Sequence, residues 1–331
     1  MSRSDPFELS ESDEYSSKFK KALKEGDISL LRRIPKSDLH NHAALGMRFS
    51  RVQEKFGSDI IPPPDYMQGL EAFADYLADI AFLMDSRENV EFLLTSCLEA
   101  AENDGVSLLE ASIDATFLSF YPKNEDFFNV ISSLKDEFSS SGEFRSDLGV
   151  ARVMDEDKWE RYVPPCIESG VFDGIDLYDI ESVNHLSLYE NFYQQAEEAG
   201  LTLKVHVGEF CSPEQIEETI ERLNPDVIQH GITAVKSENT LRMIEERSIL
   251  LNIAITSNLK LGAVEKISDH PLPEIYRRGI PVTLNTDDLM IFDSSVSEEY
   301  LKAYEAGLLE AEELDRMRRL GLYWRQHVQG K

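Results

Sequence analysis

Eight short apolar segments alternate with stretches of helical period along this chain, and this alternation limits the possible folds more than any other feature. The segments predict β-strands at residues 36–40, 107–113, 148–154, 173–177, 202–206, 226–230, 249–255 and 281–285. Stretches such as NVEFLLTSCLEAAEN and PEQIEETIERLN lie between them and predict α-helices. Strand–helix alternation is typical of a parallel sheet, and eight such units predict an α/β fold, the (β/α)8 or TIM barrel.

Helical segments extend the predicted barrel at three places. Residues 1–33 predict a polar N-terminal lead-in with short helices, in which Gly26 is a helix C-cap. The stretch MQGLEAFADYLADIAFLM predicts a helical insert after the first strand, lying over the barrel mouth, and residues 296–327 predict helices that cover the barrel. No linker rich in Gly, Ser or Pro divides the remaining chain, so we expect one barrel domain over residues 34–331.

The composition is that of an acidic globular protein. Asp and Glu number 62 against 33 Lys and Arg, which gives a formal net charge of −29. Because so acidic a surface repels phosphate backbones, we expect no nucleic-acid partner. The sequence shows neither a signal-peptide pattern nor an apolar run long enough to span a bilayer, so we expect a cytoplasmic protein without a membrane partner.

Four of the seven histidines fall in three motifs at the ends of predicted strands, and an Asp–Asp pair completes the set. The motifs are LHNHAALG with His40 and His42, KVHVGE with His206, VIQHG with His230, and VTLNTDD with Asp287 and Asp288. The active site of a (β/α)8 barrel is built at the carboxyl ends of its strands, so these side chains should converge. Imidazole and carboxylate are ligands for a borderline cation such as zinc, which predicts a metal-dependent hydrolase.

The remaining histidines and two acidic residues are interpreted from their local context. His185, His270 and His327 are interpreted as surface or helix-capping residues. Asp176 and Asp179 lie at the end of the fourth predicted strand and should face the same barrel mouth. Capping of the next helix and contact with a substrate both remain open for these two carboxylates.

Together these motifs resemble the adenosine deaminase family of the amidohydrolase superfamily. The resemblance extends from about residue 34 to the end of the terminal helices, and it is strongest at IPKSDLHNH, HVGE, QHG, SNLKLGA and HPLPEIYRRGIPVTLNTDD. It implies one zinc ion per chain, with a water molecule in the open coordination position. The implied ligands are His40, His42, His206 and Asp287.

The resemblance also implies roles for residues beside the metal. Glu209 protonates the ring nitrogen next to the attacked carbon, and His230 orients the water and helps to deprotonate it. Asp287 counts as a catalytic residue as well as a ligand, and Asp288 contacts the purine at N7. These roles agree with general chemistry, because attack on an aromatic C–NH2 carbon needs an acid for the ring and a base for the water.

Two other kinds of metal site are disfavoured by the sequence. The fourth predicted strand, in FDGIDLYDIE, has no lysine near its end, which disfavours a carbamate-bridged binuclear site. Pro165 and Cys166 are followed by IESG, so the P-C-x-x-C signature of nucleic-acid deaminases is absent.

Three positions depart from the family pattern, and all three lie on the substrate side. Ala44 replaces an aspartate that meets the sugar, Ser112 replaces the arginine of a Glu-x-Arg pair, and Asp179 stands where the family has a glycine. Loss of buried polar contacts alters selectivity more than reaction type. The resemblance therefore predicts hydrolytic deamination of adenosine or a related aminopurine, with a purine nucleoside or base as the small-molecule partner.

Two other functions remain open. A mononuclear zinc amidohydrolase acting on another amino-heterocycle or on an N6-substituted purine would use the same ligands, and Asp179 would then bind a donor group that adenosine lacks. A non-catalytic ligand-binding barrel is disfavoured by Glu209 and His230, because a binding protein has no need of a matched acid and base.

Overall fold

Eight parallel strands form one sheet in the computed structural model, which describes residues 12–182 and 185–328. Strands that are consecutive in the chain are neighbours in the sheet. Their bounds are β1 Lys36–Asp38, β2 Val106–Asp114, β3 Glu143–Ala151, β4 Gly174–Tyr178, β5 Thr202–Val207, β6 Val227–His230, β7 Leu250–Ile253 and β8 Val282–Leu284.

The first and last strands meet just beyond their carboxyl ends. The Asp287 N–H donates to the His40 carbonyl at 2.9 Å, and the His42 N–H donates to the Asp287 carbonyl at 3.3 Å. These bonds bring the two edges of the sheet together where the predicted metal ligands lie. The predicted (β/α)8 barrel is confirmed.

Strand β3 departs most from its predicted position. It begins at Glu143 and ends at Ala151, whereas the apolar run predicts residues 148–154. The early part of the strand is polar because it contributes to a charged cluster inside the barrel. Lys204 donates to Asp147 at 2.5 Å and lies 2.6 Å from Glu110. A buried cluster of ion pairs cannot be found by a search for apolar periodicity.

Helices lie between the strands and at both ends of the described chain. The α-helices are α1 Ser16–Glu25, α2 Ile28–Leu31, α3 Phe49–Phe56, α4 Gly69–Asp79, α5 Arg87–Asn103, α6 Asn124–Phe138, α7 Glu156–Glu168, α8 Leu186–Glu198, α9 Pro213–Leu223, α10 Glu238–Arg247, α11 Ile255–Lys260, α12 Leu272–Arg278, α13 Leu289–Phe292, α14 Val296–Glu305 and α15 Ala311–Val328. Short 3-10 helices lie at Ala43–Leu45, Ala81–Met84, Ala115–Phe120, Ile232–Lys236 and Ile267–Asp269. No helix in these ranges is both long and apolar enough to cross a membrane.

Local sequence signals set several helix bounds. Helix α1 ends at Gly26, which has φ 65° and caps the helix as predicted. Helix α9 begins with a capping box formed by Ser212 and Gln215. His185 is exposed just before α8, as interpreted from the sequence. His327 lies in α15, and its side chain is outside the described part of the chain.

Helices close the two ends of the barrel differently. Helix α4 lies in the insert after β1, and its Leu70, Phe73 and Leu77 line the cavity at the carboxyl ends of the strands, as predicted. At the opposite end, Leu320 and Trp324 of α15 belong to an apolar cluster with side chains from inside the barrel. Helix α4 therefore forms one wall of the approach to the strand ends.

The lead-in helices pack against the C-terminal helices. The Phe19 and Tyr300 rings meet edge to face with centroids 5.3 Å apart, and Arg318 donates to Asp13 at 2.8 Å. Residues 1–11 lie outside the described ranges. The boundary between a lead-in at 1–33 and a barrel domain at 34–331 stays a prediction.

Candidate active site

The four predicted ligands come together at the barrel mouth. The ligand atoms of His40, His42, His206 and Asp287 all lie within 4.8 Å of one another. His40 Nε2 is 2.9 Å from His206 Nε2 and 3.3 Å from Asp287 Oδ1. His42 Nε2 is 3.4 Å from the same Asp287 oxygen. Donors about 2.1 Å from a shared zinc ion would lie about 3.0 Å apart at right angles and about 3.4 Å apart at tetrahedral angles, so these three distances fit one such ion.

The charges around the cluster favour a cation. Burial alone would lower the pKa of His42, yet the carboxylates of Asp288 and Asp287 raise it to about 9. Burial likewise opposes ionisation of Asp287, but His40 holds the pKa of this carboxyl group well below its usual value. Carboxylates that stabilise a charged imidazole would stabilise a metal ion at the same place.

Hydrogen bonds on the far side of two imidazoles turn their Nε2 atoms toward the cluster. His206 Nδ1 lies 3.1 Å from Asp176 Oδ1, and Ser112 Oγ donates to Asp176 Oδ2 at 2.5 Å. His40 Nδ1 lies 3.4 Å from the Asn252 carbonyl oxygen. Ligand histidines in metalloproteins usually donate their other N–H to such an oxygen. Asp176 is thus buried behind a predicted ligand, and the structure shows neither of the two roles that the sequence left open for it.

Asp176→Asn is expected to weaken metal binding about 10- to 100-fold, because it removes the charge behind His206 while keeping the side-chain volume. Competition between the purified protein and a chelator measures this affinity. Asp173→Asn is the matched control: Asp173 lies just before β4 and pairs with Lys135 at 2.7 Å, so its loss should leave the affinity unchanged. Equal affinities for Asp176→Asn and the wild type would show that this carboxylate does not support a ligand.

His230 and Asp287 adopt a backbone conformation that is rare outside glycine. His230 has φ 67° and Asp287 has φ 60°, each at or just beyond the end of a strand. Such a conformation costs about 1–3 kcal/mol and persists where the surroundings hold it. The Gly231 N–H donates to the Val207 carbonyl at 3.1 Å, next to His230, and the Asp287 N–H donates to the His40 carbonyl, just beyond β1, at 2.9 Å. The sharp turns place both side chains at the barrel mouth.

Glu209 lies beside the cluster as a buried acid. Burial raises the pKa of its carboxyl group well above the ordinary value, and the negative charges of Asp287 and Glu181 raise it further. A raised pKa favours the protonated form of this side chain, which is the form that a proton donor needs. Glu181 also stabilises the loop that carries Glu209. The Glu181 carboxylate accepts the N–H groups of Glu209, Phe210 and Cys211 at 2.9, 2.8 and 2.8 Å. Glu181 was not predicted to contribute to the site.

Two more buried polar residues touch the site, and the sequence interpretation missed both. Asn258 of α11 donates from Nδ2 to Glu209 Oε1 at 2.5 Å and lies 3.2 Å from His230 Nδ1. The interpretation of His270 as a surface residue was wrong, because its ring is 3% exposed and its Nε2 lies 3.3 Å from Asn258 Oδ1. The capping role is present, since His270 Nδ1 accepts the Leu272 N–H at 3.1 Å. The motifs SNLKLGA and HPLP were the sequence signals for these residues.

The chain matches known proteins along most of its length. The model of the family described as Adenosine deaminase matches residues 58–323. This chain belongs to the adenosine deaminase family. Members of this family are hydrolytic deaminases that act on C–N bonds, so the predicted family and enzyme class are confirmed.

Two relatives show how far the similarity extends. A putative adenosine/adenine deaminase of Treponema pallidum (strain Nichols) is 32% identical over 284 residues, which are 85% of this chain and 95% of the relative. An aminodeoxyfutalosine deaminase of Acidothermus cellulolyticus is 36% identical over 155 residues, 45% of this chain and 43% of the relative. The first relative therefore matches nearly end to end.

Solved structures show the same fold. An adenine deaminase from Arthrobacter aurescens superposes with a TM-score of 0.75 at 24% identity and covers 86% of this chain and 92% of its own. The Arabidopsis N6-mAMP deaminase superposes with a TM-score of 0.71 at 21% identity and covers 87% of this chain and 93% of its own. At these identities the likeness establishes the barrel fold alone.

In this member of the adenosine deaminase family, a cavity of about 700 Å³ opens above the ligand cluster. Ala44 lines it, at the position where the family resemblance led us to expect an aspartate. One part of the wall is polar and adjoins the cluster, and another part is apolar and includes α4. The polar part contains Ser112, Asp179, Glu209 and Asp288, and the apolar part contains Leu70, Phe73, Leu77, Phe117 and Phe120.

The two predicted substrate contacts, Asp179 and Asp288, both line this cavity. Asp288 Oδ1 has no hydrogen-bond partner among the described residues, and burial raises the pKa of this carboxyl group to about 8. Asp179 has φ 87°, a left-handed conformation that favours glycine, in keeping with the glycine of the family pattern. Its Oδ1 accepts the Ile180 N–H at 2.7 Å. Both residues therefore border the space that a substrate would occupy.

Proposed function

We propose that this chain catalyses zinc-dependent hydrolytic deamination of adenosine or a related aminopurine, with release of ammonia. The observation that carries the proposal is a buried carboxyl group with a raised pKa, Glu209, beside four converging donor atoms at the barrel mouth. We assign the zinc ligands as His40, His42, His206 and Asp287, since imidazole nitrogens and carboxylate oxygens are common zinc ligands.

The proposed reaction needs one proton donor on the ring side. The chemistry that a bound zinc ion supplies is a coordinated water acidic enough to attack at neutral pH. Addition of the water to the amino-bearing carbon forms a C–O bond and moves an electron pair onto the adjacent ring nitrogen. Glu209 donates its proton to that nitrogen, and the protonated Asp288 donates a hydrogen bond to purine N7. The C–N bond then breaks: the amino group takes up the proton that left the attacking water and leaves as ammonia, and the proton of the added hydroxyl group returns to Glu209 as the C=O bond forms.

His230 and Asp287 act on the water side. His230 Nε2 lies 3.8 Å from Asp287 Oδ2. Because the Asn258 amide donates to Nδ1, the neutral His230 ring carries its hydrogen on Nε2 and orients the water as a donor. We therefore assign uptake of the water's proton to Asp287. The family resemblance implies that His230 both orients the water and helps to deprotonate it. In the proposed reaction His230 only orients the water.

Adenosine and adenine are both expected to release ammonia, because the ring contacts lie at Glu209 and Asp288 while Ala44 offers no carboxylate to a ribose. AMP should react about tenfold less efficiently, since Lys158 is the only Lys or Arg among the described residues that line the cavity. The measurement is kcat/KM for amine release from adenosine, 2′-deoxyadenosine, adenine, AMP, N6-methyladenine and a pterin. Reaction of the pterin alone would contradict the proposal and favour an amidohydrolase with another amino-heterocycle.

A second candidate is an aminopurine nucleoside with a bulky apolar group on its sugar. The apolar wall formed by Leu70, Phe73, Phe117 and Phe120 would contact such a group, and about 700 Å³ is ample for a ligand of drug size. The relative named aminodeoxyfutalosine deaminase agrees with a substrate other than plain adenosine. A higher kcat/KM for 5′-alkylthio-5′-deoxyadenosines than for adenosine would support this candidate.

A further inference from the structure

We propose that Asn258 is a positioning residue that determines which oxygen of Glu209 carries the proton, and that His270 holds Asn258 in the required orientation. The inference rests on the proposed function, in which Glu209 is the proton donor. Both residues lie between β7 and β8, in segments that supply no predicted metal ligand.

The side chain of Asn258 is fully buried and bonds to the site rather than to the backbone. Its Nδ2 donates to Glu209 Oε1 at 2.5 Å and lies 3.2 Å from His230 Nδ1, and its Oδ1 lies 3.3 Å from His270 Nε2. Asparagine side chains that stabilise loops or helix ends usually bond to nearby backbone groups. Among the described residues, Asn258 bonds through its side chain to three side chains instead, which points to a role in the site.

A backbone N–H fixes the direction of these hydrogen bonds. The Leu272 N–H donates to His270 Nδ1 at 3.1 Å, so the hydrogen of the neutral ring lies on Nε2. Burial lowers the pKa of His270 to about 4, which keeps the ring neutral at physiological pH. The Nε2–H group then donates to Asn258 Oδ1. A flipped amide would set its NH2 group against this N–H and its oxygen against Glu209 Oε1, so the observed orientation is favoured.

The orientation of the amide decides the position of the proton on Glu209. A protonated carboxyl group has one O–H donor, and its other oxygen is the better acceptor. Because Oε1 accepts from Asn258, the proton lies on Oε2. Glu209 lines the cavity, so the arrangement keeps Oε1 occupied and leaves Oε2 to donate to a substrate. Without Asn258 the proton would divide between the two oxygens.

Asn258→Asp tests this role because it keeps the size of the side chain but replaces the N–H donor with a carboxylate. We expect kcat for ammonia release by the zinc-loaded protein to fall about 100-fold, with KM changed less than about threefold. The alkaline limb of the kcat–pH curve should move to higher pH, because the lost hydrogen bond and the added negative charge both disfavour ionised Glu209. The other titratable groups that face Glu209 are unchanged, namely Asp287, Asp288, Glu181 and His230.

Variants of His270 separate orientation of the amide from packing. His270→Leu removes the donor to Asn258 Oδ1 and should lower kcat about tenfold, with the alkaline limb again at higher pH. His270→Gln keeps an N–H donor and should recover most of this loss. Ile275→Ala is the matched control, because Ile275 is a fully buried apolar residue of α12. It should lower the melting temperature without moving the limb.

An infrared measurement supplies a readout that does not need activity. The carboxylic C=O band of Glu209 is identified by its loss in Glu209→Gln, and its disappearance with rising pH reports the pKa. In Asn258→Leu, which adds no second carboxyl group, we expect the band to shift in frequency and to persist to higher pH than in the wild type. The same frequency and the same titration in both proteins would overturn the role of Asn258.

The two proposals fail in different ways. A zinc-loaded wild type that releases ammonia from no aminopurine would overturn the proposed function, and the infrared band would still decide whether Asn258 controls the Glu209 proton. An active wild type with unchanged kcat in Asn258→Asp and an unchanged band in Asn258→Leu would overturn only the inference. Asn258→Asp could instead lose kcat while its alkaline limb stays in place and its melting temperature falls as in Ile275→Ala. That result would show that Asn258 has only a structural role.

Discussion

Glu209→Gln is expected to lower ammonia release about 10²- to 10⁴-fold, the range that general acid catalysis contributes. Glutamine has the size of the native side chain and keeps an oxygen that can accept from Asn258, but it has no acidic proton to give to a ring nitrogen. The four predicted ligands are untouched, so about one zinc ion per chain should remain bound. Ammonia release and metal content are measured on the same preparation.

Glu214→Gln is the matched control for this variant. Glu214 lies in the first turn of α9, a few residues after Glu209, and is exposed. Its substitution should change neither the rate nor the metal content. Undiminished ammonia release by Glu209→Gln would show that Glu209 is not the proton donor. Loss of zinc in the same variant would contradict the prediction that Glu209 takes no part in metal binding.

Asp287→Ala is expected to abolish both metal binding and activity. It removes the one carboxylate of the ligand set. The same carboxylate lies 3.8 Å from His230 Nε2 and takes up the water's proton in the proposed reaction. A metal contributes several kcal/mol of transition-state stabilisation, and each ~1.4 kcal/mol is tenfold in rate, so the rate should fall at least about 10³-fold. Metal analysis after dialysis and the rate of ammonia release measure the two effects.

Asp293→Ala controls for the loss of an aspartate from the same segment. The Asp293 side chain is 69% exposed and pairs with Arg48, so its removal should leave about one zinc ion per chain and full activity. An Asp287→Ala protein that retained its zinc and its rate would contradict the ligand assignment. Retained zinc with a lost rate would instead assign Asp287 to proton transfer alone.

The barrel and the ligand cluster could be predicted because each leaves a local signal in the sequence. The apolar pattern of β5 and the histidine at its end, His206, are adjacent in the chain, and the same holds for β6 and His230. A barrel brings the carboxyl ends of all its strands to one rim, so local signals were enough to predict that the ligands converge. The structure places them within 4.8 Å of one another.

Residues that act through contacts between distant segments could not be assigned their roles from such local signals. Asp176 supports His206 from the neighbouring strand, and Asn258 reaches Glu209 from the segment after β7. His270 lacks a strand-end position, so its burial could not be inferred from its neighbours in sequence. The start of β3 was missed for a related reason, since Asp147 is a buried carboxylate that pairs with Lys204 from another strand.

The dependence of ammonia release on zinc is the measurement that tests the account most directly. The purified protein is stripped of metal with a chelator, assayed with adenosine and adenine, and assayed again as zinc is restored. We predict that ammonia release disappears with the metal and returns in proportion to zinc up to about one ion per chain, with one 6-oxopurine formed for each ammonia. Ammonia release that survives complete removal of metal, or a protein with one bound zinc that deaminates no aminopurine, would contradict the account.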